Sequence, residues 1–125
     1  MRAAVTKIMT FSAAHFLEGH PMCGRMHGHN YRVEVTAEGF VKPSGMVIDF
    51  SDLRRGMAKV LDELDHQTLN MTLSFVPTAE NLAAYIWRRV SGEVKPVRIS
   101  SVRVWETGTS CATYRPDRDD SEVLV

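Results

Sequence analysis

Two long runs of alternating polar and apolar residues open the chain, over residues 3 to about 17 and about 28 to 39. In the second run the apolar residues have odd numbers and the polar residues have even numbers, as in a strand with one buried face. The apolar set is Tyr31, Val33, Val35 and Ala37, and the polar set is Arg32, Glu34, Thr36 and Glu38. The pattern predicts two strands, and the polar, glycine-containing stretch between them predicts a loop.

The middle of the chain changes to helical spacing. Residues 42–45 (KPSG) predict a turn, and the apolar residues 46–48 (MVI) that follow predict a short strand. Ser51 then fits the N-cap of a helix, and residues 64–70 are expected to end it. Asp49 and Asp52 are expected to interact favourably with the N-terminal helix dipole, and no catalytic role is assigned to them. The apolar stripe of this helix is Leu53, Met57, Val60, Leu61 and Leu64.

The last third of the chain predicts one more helix and two more strands. Thr78 fits the cap of a helix with Leu82, Ile86 and Val90 four residues apart, which ends at residues 91–92 (SG). Strands are predicted over residues 97–106 and about 111–115. The charged tail from Pro116 is expected to be frayed.

This order of elements predicts an α+β fold, in which two helices cover one face of a four-stranded antiparallel sheet. The 125 residues are expected to form one domain, 1–125. So few strands leave two open sheet edges, and we therefore expect the chain to oligomerise through them.

The net charge and the two cysteines indicate which classes of binding partner and which cellular compartment to expect. Fifteen basic and fifteen acidic residues give a formal net charge of zero, which favours neither nucleic acid nor an anionic membrane as a partner. The chain has no apolar run long enough to span a bilayer and no signal-peptide pattern at its start, so a cytoplasmic location is expected. Cys23 and Cys111 are expected to be free thiols, and Cys111 a small buried residue.

Three histidines are predicted to share one face of the sheet. His27 and His29 have the parity of the apolar residues of the second strand, with only Gly28 between them. His15 has the parity of Phe11, so antiparallel pairing of the two strands would turn its ring to the same side. Three imidazoles suit zinc, and a site with three protein ligands leaves a fourth position open, as catalytic zinc sites do. The alternative is three unconnected core or surface histidines.

A cysteine lies close to these histidines in the sequence. Cys23 precedes His27 by four residues in a polar loop, where a metal or a cationic group would lower the pKa of its thiol. It is a candidate fourth zinc ligand, nucleophile or base, and the spacing does not choose among the three. His20, in the same loop, is out of register with the other histidines and is expected to be an exposed loop residue.

Two acidic positions are also candidates for chemistry. Asp65 next to His66 resembles a carboxylate that orients an imidazole, although adjacent residues do not easily hydrogen-bond in a regular helix or strand. The alternative is a histidine favoured by the dipole at a helix C-terminus. Glu106 ends an apolar strand at the inward parity, where an ionised carboxylate is costly without a partner. A ligand with adjacent N–H donors would be such a partner.

Together these segments resemble the 6-pyruvoyltetrahydropterin synthase family, and more closely its bacterial branch, the 6-carboxytetrahydropterin synthases of queuosine (deazapurine) biosynthesis. The resemblance covers nearly the whole chain and lies in residues 11–15, 23–31, 48–50, 64–70, 77–82 and 105–107. The branch is indicated by the three-residue gap between Cys23 and His27, which is shorter than in the pyruvoyl enzymes.

The resemblance implies the tunnelling fold, usually assembled into homohexamers with the active site at a subunit interface. The implied lyase reaction converts dihydroneopterin triphosphate to 6-carboxytetrahydropterin, with loss of acetaldehyde and triphosphate and without a redox cofactor. Zinc held by His15, His27 and His29 would acidify hydroxyls of the substrate's side chain. One rival is a 6-pyruvoyltetrahydropterin synthase, which keeps the side-chain carbons. A rival of another class is a non-catalytic zinc-binding scaffold in which Cys23 is the fourth ligand.

The family's other roles carry over to five residues. Cys23 would be the base that abstracts a proton. Asp65 and His66 would form a charge relay, supplied by a neighbouring subunit, that activates the thiol or returns the proton. Glu106 would accept hydrogen bonds from the amino group and ring N–H of the pterin, with Thr78 as a helper.

Overall fold

The computed structural model of the protein describes residues 1–116. Four strands form one antiparallel sheet in chain order, β1 to β4, and three helices lie between β2 and β3 in the sequence. The strands are β1 (Arg2–His15), β2 (His27–Phe40), β3 (Arg98–Trp105) and β4 (Cys111–Tyr114). The helices are α1 (Phe50–Leu64), α2 (Leu69–Thr72) and α3 (Ala79–Glu93). The predicted α+β class is confirmed, while the predicted frayed tail lies outside the described residues beyond Pro116.

The pairing of β1 with β2 positions the candidate site. The two strands pair along their whole length, from Arg2 opposite Phe40 to His15 opposite His27. Because the pairing joins odd-numbered residues to odd-numbered residues, the apolar sets of both strands lie on one face of the sheet. The rings of Phe11 and Tyr31 stack across the strands with their centroids 4.7 Å apart.

The core lies between this apolar face and the two long helices. Leu53, Met57 and Leu64 of α1 are fully buried, as are Leu82 and Ile86 of α3. Burying a side chain of this size stabilises the fold by about 1.5–3 kcal/mol. The even-numbered polar residues of β2 are exposed or half-buried on the opposite face of the sheet.

Two details at the start of α1 differ from the prediction. Residues 46–48 do not form a strand; Val47 and Ile48 are buried, but they reach the core from an irregular turn. The N-cap of α1 is Asp49 and not Ser51, because the Asp49 carboxylate accepts hydrogen bonds from the Ser51 backbone N–H at 2.7 Å and the Ser51 hydroxyl at 2.6 Å. These bonds, first of all the one from the hydroxyl, lower the pKa of Asp49.

The later elements match the prediction more closely. Thr78 is the N-cap of α3, and its side-chain oxygen accepts from the Asn81 backbone N–H at 3.2 Å. The helix continues to Glu93, one residue past the predicted stop. Residues 64–70 do end α1, but part of the segment forms the separate helix α2. No helix within residues 1–116 is long and apolar enough to cross a membrane.

Candidate active site

His15, His27 and His29 come together at one end of β1 and β2. His15 is 1% exposed and lies directly opposite His27, while His29 lies opposite Ala13. One ring nitrogen from each histidine lies within 4.8 Å of the others, and the ring centroids are 4.6–5.0 Å apart. Among residues 1–116, this is the only group of three or more His, Cys, Asp or Glu side chains close enough to hold a metal ion.

Backbone carbonyls orient two of the three rings. Nδ1 of His15 lies 2.8 Å from the Pro77 carbonyl oxygen, and Nδ1 of His27 lies 2.7 Å from the Arg25 carbonyl oxygen. Because a carbonyl oxygen only accepts, both Nδ1 atoms carry a proton, and Nε2 of each neutral ring has a lone pair. The two Nε2 atoms are 3.1 Å apart. Two lone pairs at this distance repel unless a cation or a proton lies between them, so the donor set fits a bound metal ion.

The charge state of the site also favours ligation. Burial lowers the pKa of His29, against the opposing influence of Glu106, and the neighbouring His15 and His27 lower it further. A lowered pKa keeps more of the imidazole in the neutral form that binds metals. Burial, followed by the nearby Glu106 charge, raises the pKa of Tyr31, so its hydroxyl stays protonated, 3.3 Å from Nδ1 of His15.

Glu106 lies beside the histidines, immediately after β3. Its backbone N–H donates to the Ser110 carbonyl at 3.1 Å, which closes the turn to β4. Its Oε2 lies 3.6 Å from Nε2 of His15, and its side chain is 26% exposed. The inward parity expected from the sequence is therefore observed, and the carboxylate is close to the histidine cluster while remaining accessible to a ligand.

Asp65 and His66 form a hydrogen-bonded pair, although they are adjacent in the chain. Nδ1 of His66 lies 2.9 Å from Oδ2 of Asp65. The backbone of His66 has φ +59°, in the left-handed region, and is therefore not that of a regular helix or strand. Oδ1 of Asp65 accepts from the Ser12 backbone N–H at 2.9 Å, and this bond, followed by the one to His66, lowers the pKa of Asp65. α1 ends at Leu64 with Asp65 as its C-cap, so His66 is the first residue beyond the helix.

The segment after His66 covers part of the outer edge of β1. The Ala14 N–H donates to the Gln67 carbonyl at 3.0 Å, and the Asn70 side chain exchanges two 2.9 Å hydrogen bonds with the backbone of Phe16. His29 and His66 both line an open cavity of about 410 Å³ at this edge. The His66 side chain is 82% exposed, so it is accessible from outside the chain.

The two cysteines are free, as predicted, and they differ in position. Cys23 is half-buried in the loop between β1 and β2 and is not part of the histidine group. Cys111 is exposed, so the expectation that it is buried is wrong. It begins the edge strand β4 at a position opposite Trp105, with the parity of the exposed Thr113.

Sequence reasoning missed three groups that support the site: the Pro77 carbonyl, the Ser12 N–H and the Tyr31 hydroxyl. The first two are backbone groups, which every residue offers, so no residue type marks them. Tyr31 has the parity of His27 and His29, and that signal, combined with its hydroxyl, was sufficient to identify it.

Comparisons with known proteins identify the family of the chain and agree with its fold. Residues 4–117 match the family described as 6-pyruvoyl tetrahydropterin synthase. The chain is 42% identical over 106 residues to an Archaeoglobus fulgidus protein that is provisionally named a 6-carboxy-5,6,7,8-tetrahydropterin synthase, covering 85% of this chain and 90% of that protein. It is 34% identical over 134 residues to human 6-pyruvoyl tetrahydrobiopterin synthase, covering 91% and 92%. The structure of Caenorhabditis elegans 6-pyruvoyl tetrahydropterin synthase has a TM-score of 0.86 and 30% identity, covering 94% and 97%.

Proposed function

The chain belongs to the 6-pyruvoyl tetrahydropterin synthase family. We propose that it is a zinc-dependent lyase that converts dihydroneopterin triphosphate and one water to 6-carboxytetrahydropterin, with release of acetaldehyde and triphosphate. The observation that carries the proposal is the convergence of three histidines beside Glu106. The short gap between Cys23 and His27, together with the 42% identity to a relative named for the carboxy product, supports the carboxy branch and a place in queuosine biosynthesis.

In this proposal His15, His27 and His29 would hold the zinc. The bound zinc supplies Lewis acidity toward the hydroxyls of the substrate's side chain. Three imidazole donors suit zinc. The bonds from Nδ1 of His15 and of His27 to carbonyls support this ligand set, because they leave both Nε2 lone pairs directed at one point.

Cys23 serves as the base that abstracts a proton from the substrate's side chain. Its half-burial and its place outside the histidine group support a role as a base and not as a ligand. His66, whose Nδ1 lies against the Asp65 carboxylate, would accept the proton from the Cys23 thiol or return a proton to the substrate. The other oxygen of this carboxylate accepts from the Ser12 backbone N–H, a bond that lowers the pKa of Asp65.

Glu106 binds the pterin through the ring's amino group and adjacent N–H. A carboxylate accepts two parallel hydrogen bonds, and this one lies 3.6 Å from a zinc-ligating ring, so a pterin bound here has its side chain near the metal. Thr78 assists: its hydroxyl oxygen already accepts from the Asn81 N–H, and its O–H remains able to donate.

The enzyme is proposed to act as a homohexamer with the site completed at a subunit interface. β1 and β4 are the two edges of the sheet, and within residues 1–116 the segment of β1 from residue 2 to 10 has no strand on its outer side. Such an edge pairs readily with a strand of another copy. His66 is exposed at the same edge, which supports its supply to the site of a neighbouring subunit.

Metal removal tests the proposal directly. The protein is stripped of metal with a chelator, divided, and one half is reloaded with zinc; triphosphate release from dihydroneopterin triphosphate is then measured for both. We expect release only from the zinc-loaded half, and a His27→Ala variant should stay inactive after reloading. Equal turnover by both halves would overturn the role of zinc. Loss of zinc from Cys23→Ala would instead support the closed, four-ligand scaffold.

A further inference from the structure

The loop between β1 and β2 folds around the imidazole of His20. Nδ1 of His20 accepts a hydrogen bond from the Cys23 backbone N–H at 3.0 Å and another from the Met22 backbone N–H at 3.3 Å. Both partners are donors, so Nδ1 has no proton and the neutral ring carries its proton on Nε2. His20 is exposed, as expected from the sequence, but its ring is the acceptor that organises this turn.

Backbone bonds hold the same turn from its other side. The Leu17 N–H donates to the Cys23 carbonyl at 2.6 Å, and the Gly24 N–H donates to the His20 carbonyl at 2.9 Å. A Cβ at Gly24 would lie 2.6 Å from that His20 carbonyl oxygen, so the turn is too tight for any residue but glycine. The main chain of Cys23 is therefore fixed at its N–H, at its carbonyl and at the following residue.

We infer that His20 is a positioning residue for the Cys23 thiol, an inference that rests on the proposed function of Cys23 as the base. The His20 ring is the one side-chain acceptor in the described structure that holds the Cys23 N–H. Removing the ring exposes two backbone N–H groups to water in a loop that is already exposed, which costs little folding free energy. The main effect of removing the ring is that the Cys23 thiol is no longer held in position. A misplacement of about 1 Å lowers the rate of a reaction by about 10²-fold.

Three substitutions separate this role from a general loss of structure. His20→Asn places a carboxamide oxygen where Nδ1 was, because both atoms are attached to Cγ. His20→Gln places its oxygen one bond further out, and His20→Ala has no acceptor. We expect kcat to fall by about 10- to 100-fold in His20→Ala and His20→Gln, with KM and bound zinc unchanged, and His20→Asn to recover most of the wild-type kcat.

Two readouts do not depend on turnover. In a Cys111→Ser background, which leaves Cys23 as the only thiol, iodoacetamide is expected to alkylate Cys23 several-fold faster in His20→Ala and His20→Gln, because the half-buried thiol is released, and at the unchanged rate in His20→Asn. Nitrogen NMR of the folded protein is expected to show His20 with an unprotonated Nδ1.

The outcomes distinguish the two claims. A wild-type protein that binds zinc but does not turn over the pterin would overturn the proposed function, while the alkylation and NMR results would still test how His20 holds the loop. A His20→Ala variant with wild-type kcat and wild-type alkylation rate would overturn the inference. So would a protonated Nδ1, or a His20→Asn variant no better than His20→Gln.

Discussion

Nδ1 of His15 lies 2.8 Å from the carbonyl oxygen of Pro77, 62 residues further along the chain. β1 ends at His15, and α3 begins at Ala79 with Thr78 as its cap, so this hydrogen bond ties a candidate metal-ligating ring to the start of a helix. The bond fixes the tautomer of His15 and directs Nε2 toward His27. The segment before α3 therefore orients one of the three rings of the candidate metal site.

Thr78→Ala tests this connection. The substitution removes the oxygen that accepts from the Asn81 N–H, and loss of such a cap costs about 1 kcal/mol of unfolding free energy. Because Pro77 is the adjacent residue, we also expect zinc to bind more weakly. Thr78→Ser keeps the oxygen and is the matched control. Urea denaturation and zinc competition measure the two effects; wild-type zinc affinity in a destabilised Thr78→Ala would show that the helix start does not control the site.

Tyr31→Phe tests the second contact to His15. The variant loses the hydroxyl that lies 3.3 Å from Nδ1 of His15 but keeps the ring that stacks on Phe11, so it should fold normally. Removing a group that hydrogen-bonds to a metal-ligating histidine typically lowers metal affinity by about 10- to 100-fold. We expect the zinc affinity to fall by about tenfold and not more, because the Pro77 carbonyl still holds Nδ1 of His15. Competition with a chromophoric chelator measures this affinity. Tyr85→Phe, whose hydroxyl contacts Arg89, should bind zinc like the wild type.

Asp65→Asn tests the relay. The amide keeps an oxygen for the Ser12 N–H but removes the negative charge next to His66. Positioned proton transfer contributes about 10²–10⁴-fold to rates, so we expect kcat to fall by about 10²-fold with zinc content unchanged. Asp62→Asn removes an exposed carboxylate from α1 and should leave kcat unaltered. An active Asp65→Asn would remove this carboxylate from the mechanism.

The pKa of Asp65 also predicts an effect of pH on stability. The Ser12 N–H, followed by His66, lowers this pKa below the ordinary value of 3.8. A carboxyl whose pKa is lower in the folded state stabilises the fold above its unfolded pKa, and that stabilisation is lost as the pH falls through the folded pKa. The difference in unfolding free energy between the wild type and Asp65→Asn should therefore be constant above about pH 5 and shrink as the pH falls further. A difference independent of pH would contradict the assignment.

Much of the fold could be predicted because it follows from periodicity. The period of two along β2 places Tyr31, His27 and His29 on one face, and antiparallel pairing puts His15 on the same face, so parity predicts the shared face. The register, with His15 opposite His27, then brings the three rings together. Residue type alone did not identify the N-cap of α1. Asp49 and Ser51 are both good cap residues, and which of them caps depends on where the chain turns into the helix.

The parts that could not be predicted depend on backbone conformation. Histidine adopts positive φ more often than most residues, but its type does not fix φ +59° at residue 66, and the 2.9 Å contact with the Asp65 carboxylate is apparent only from the folded backbone. The Pro77 carbonyl that orients His15 has the same chemistry as any other carbonyl, and only the tertiary structure selects it. His20 was correctly assigned to an exposed loop, but only the folded loop shows that its Nδ1 accepts hydrogen bonds from the backbone N–H groups of Met22 and Cys23.

The most direct test of the central claim is to identify the products. Zinc-loaded protein is incubated with dihydroneopterin triphosphate, the pterin is analysed by mass spectrometry, and acetaldehyde is assayed in the same sample. We expect 6-carboxytetrahydropterin together with acetaldehyde. A pyruvoyl product without acetaldehyde would contradict the carboxy assignment and place the protein with its pyruvoyl relatives. No turnover by the folded, zinc-loaded protein would contradict the proposed lyase itself.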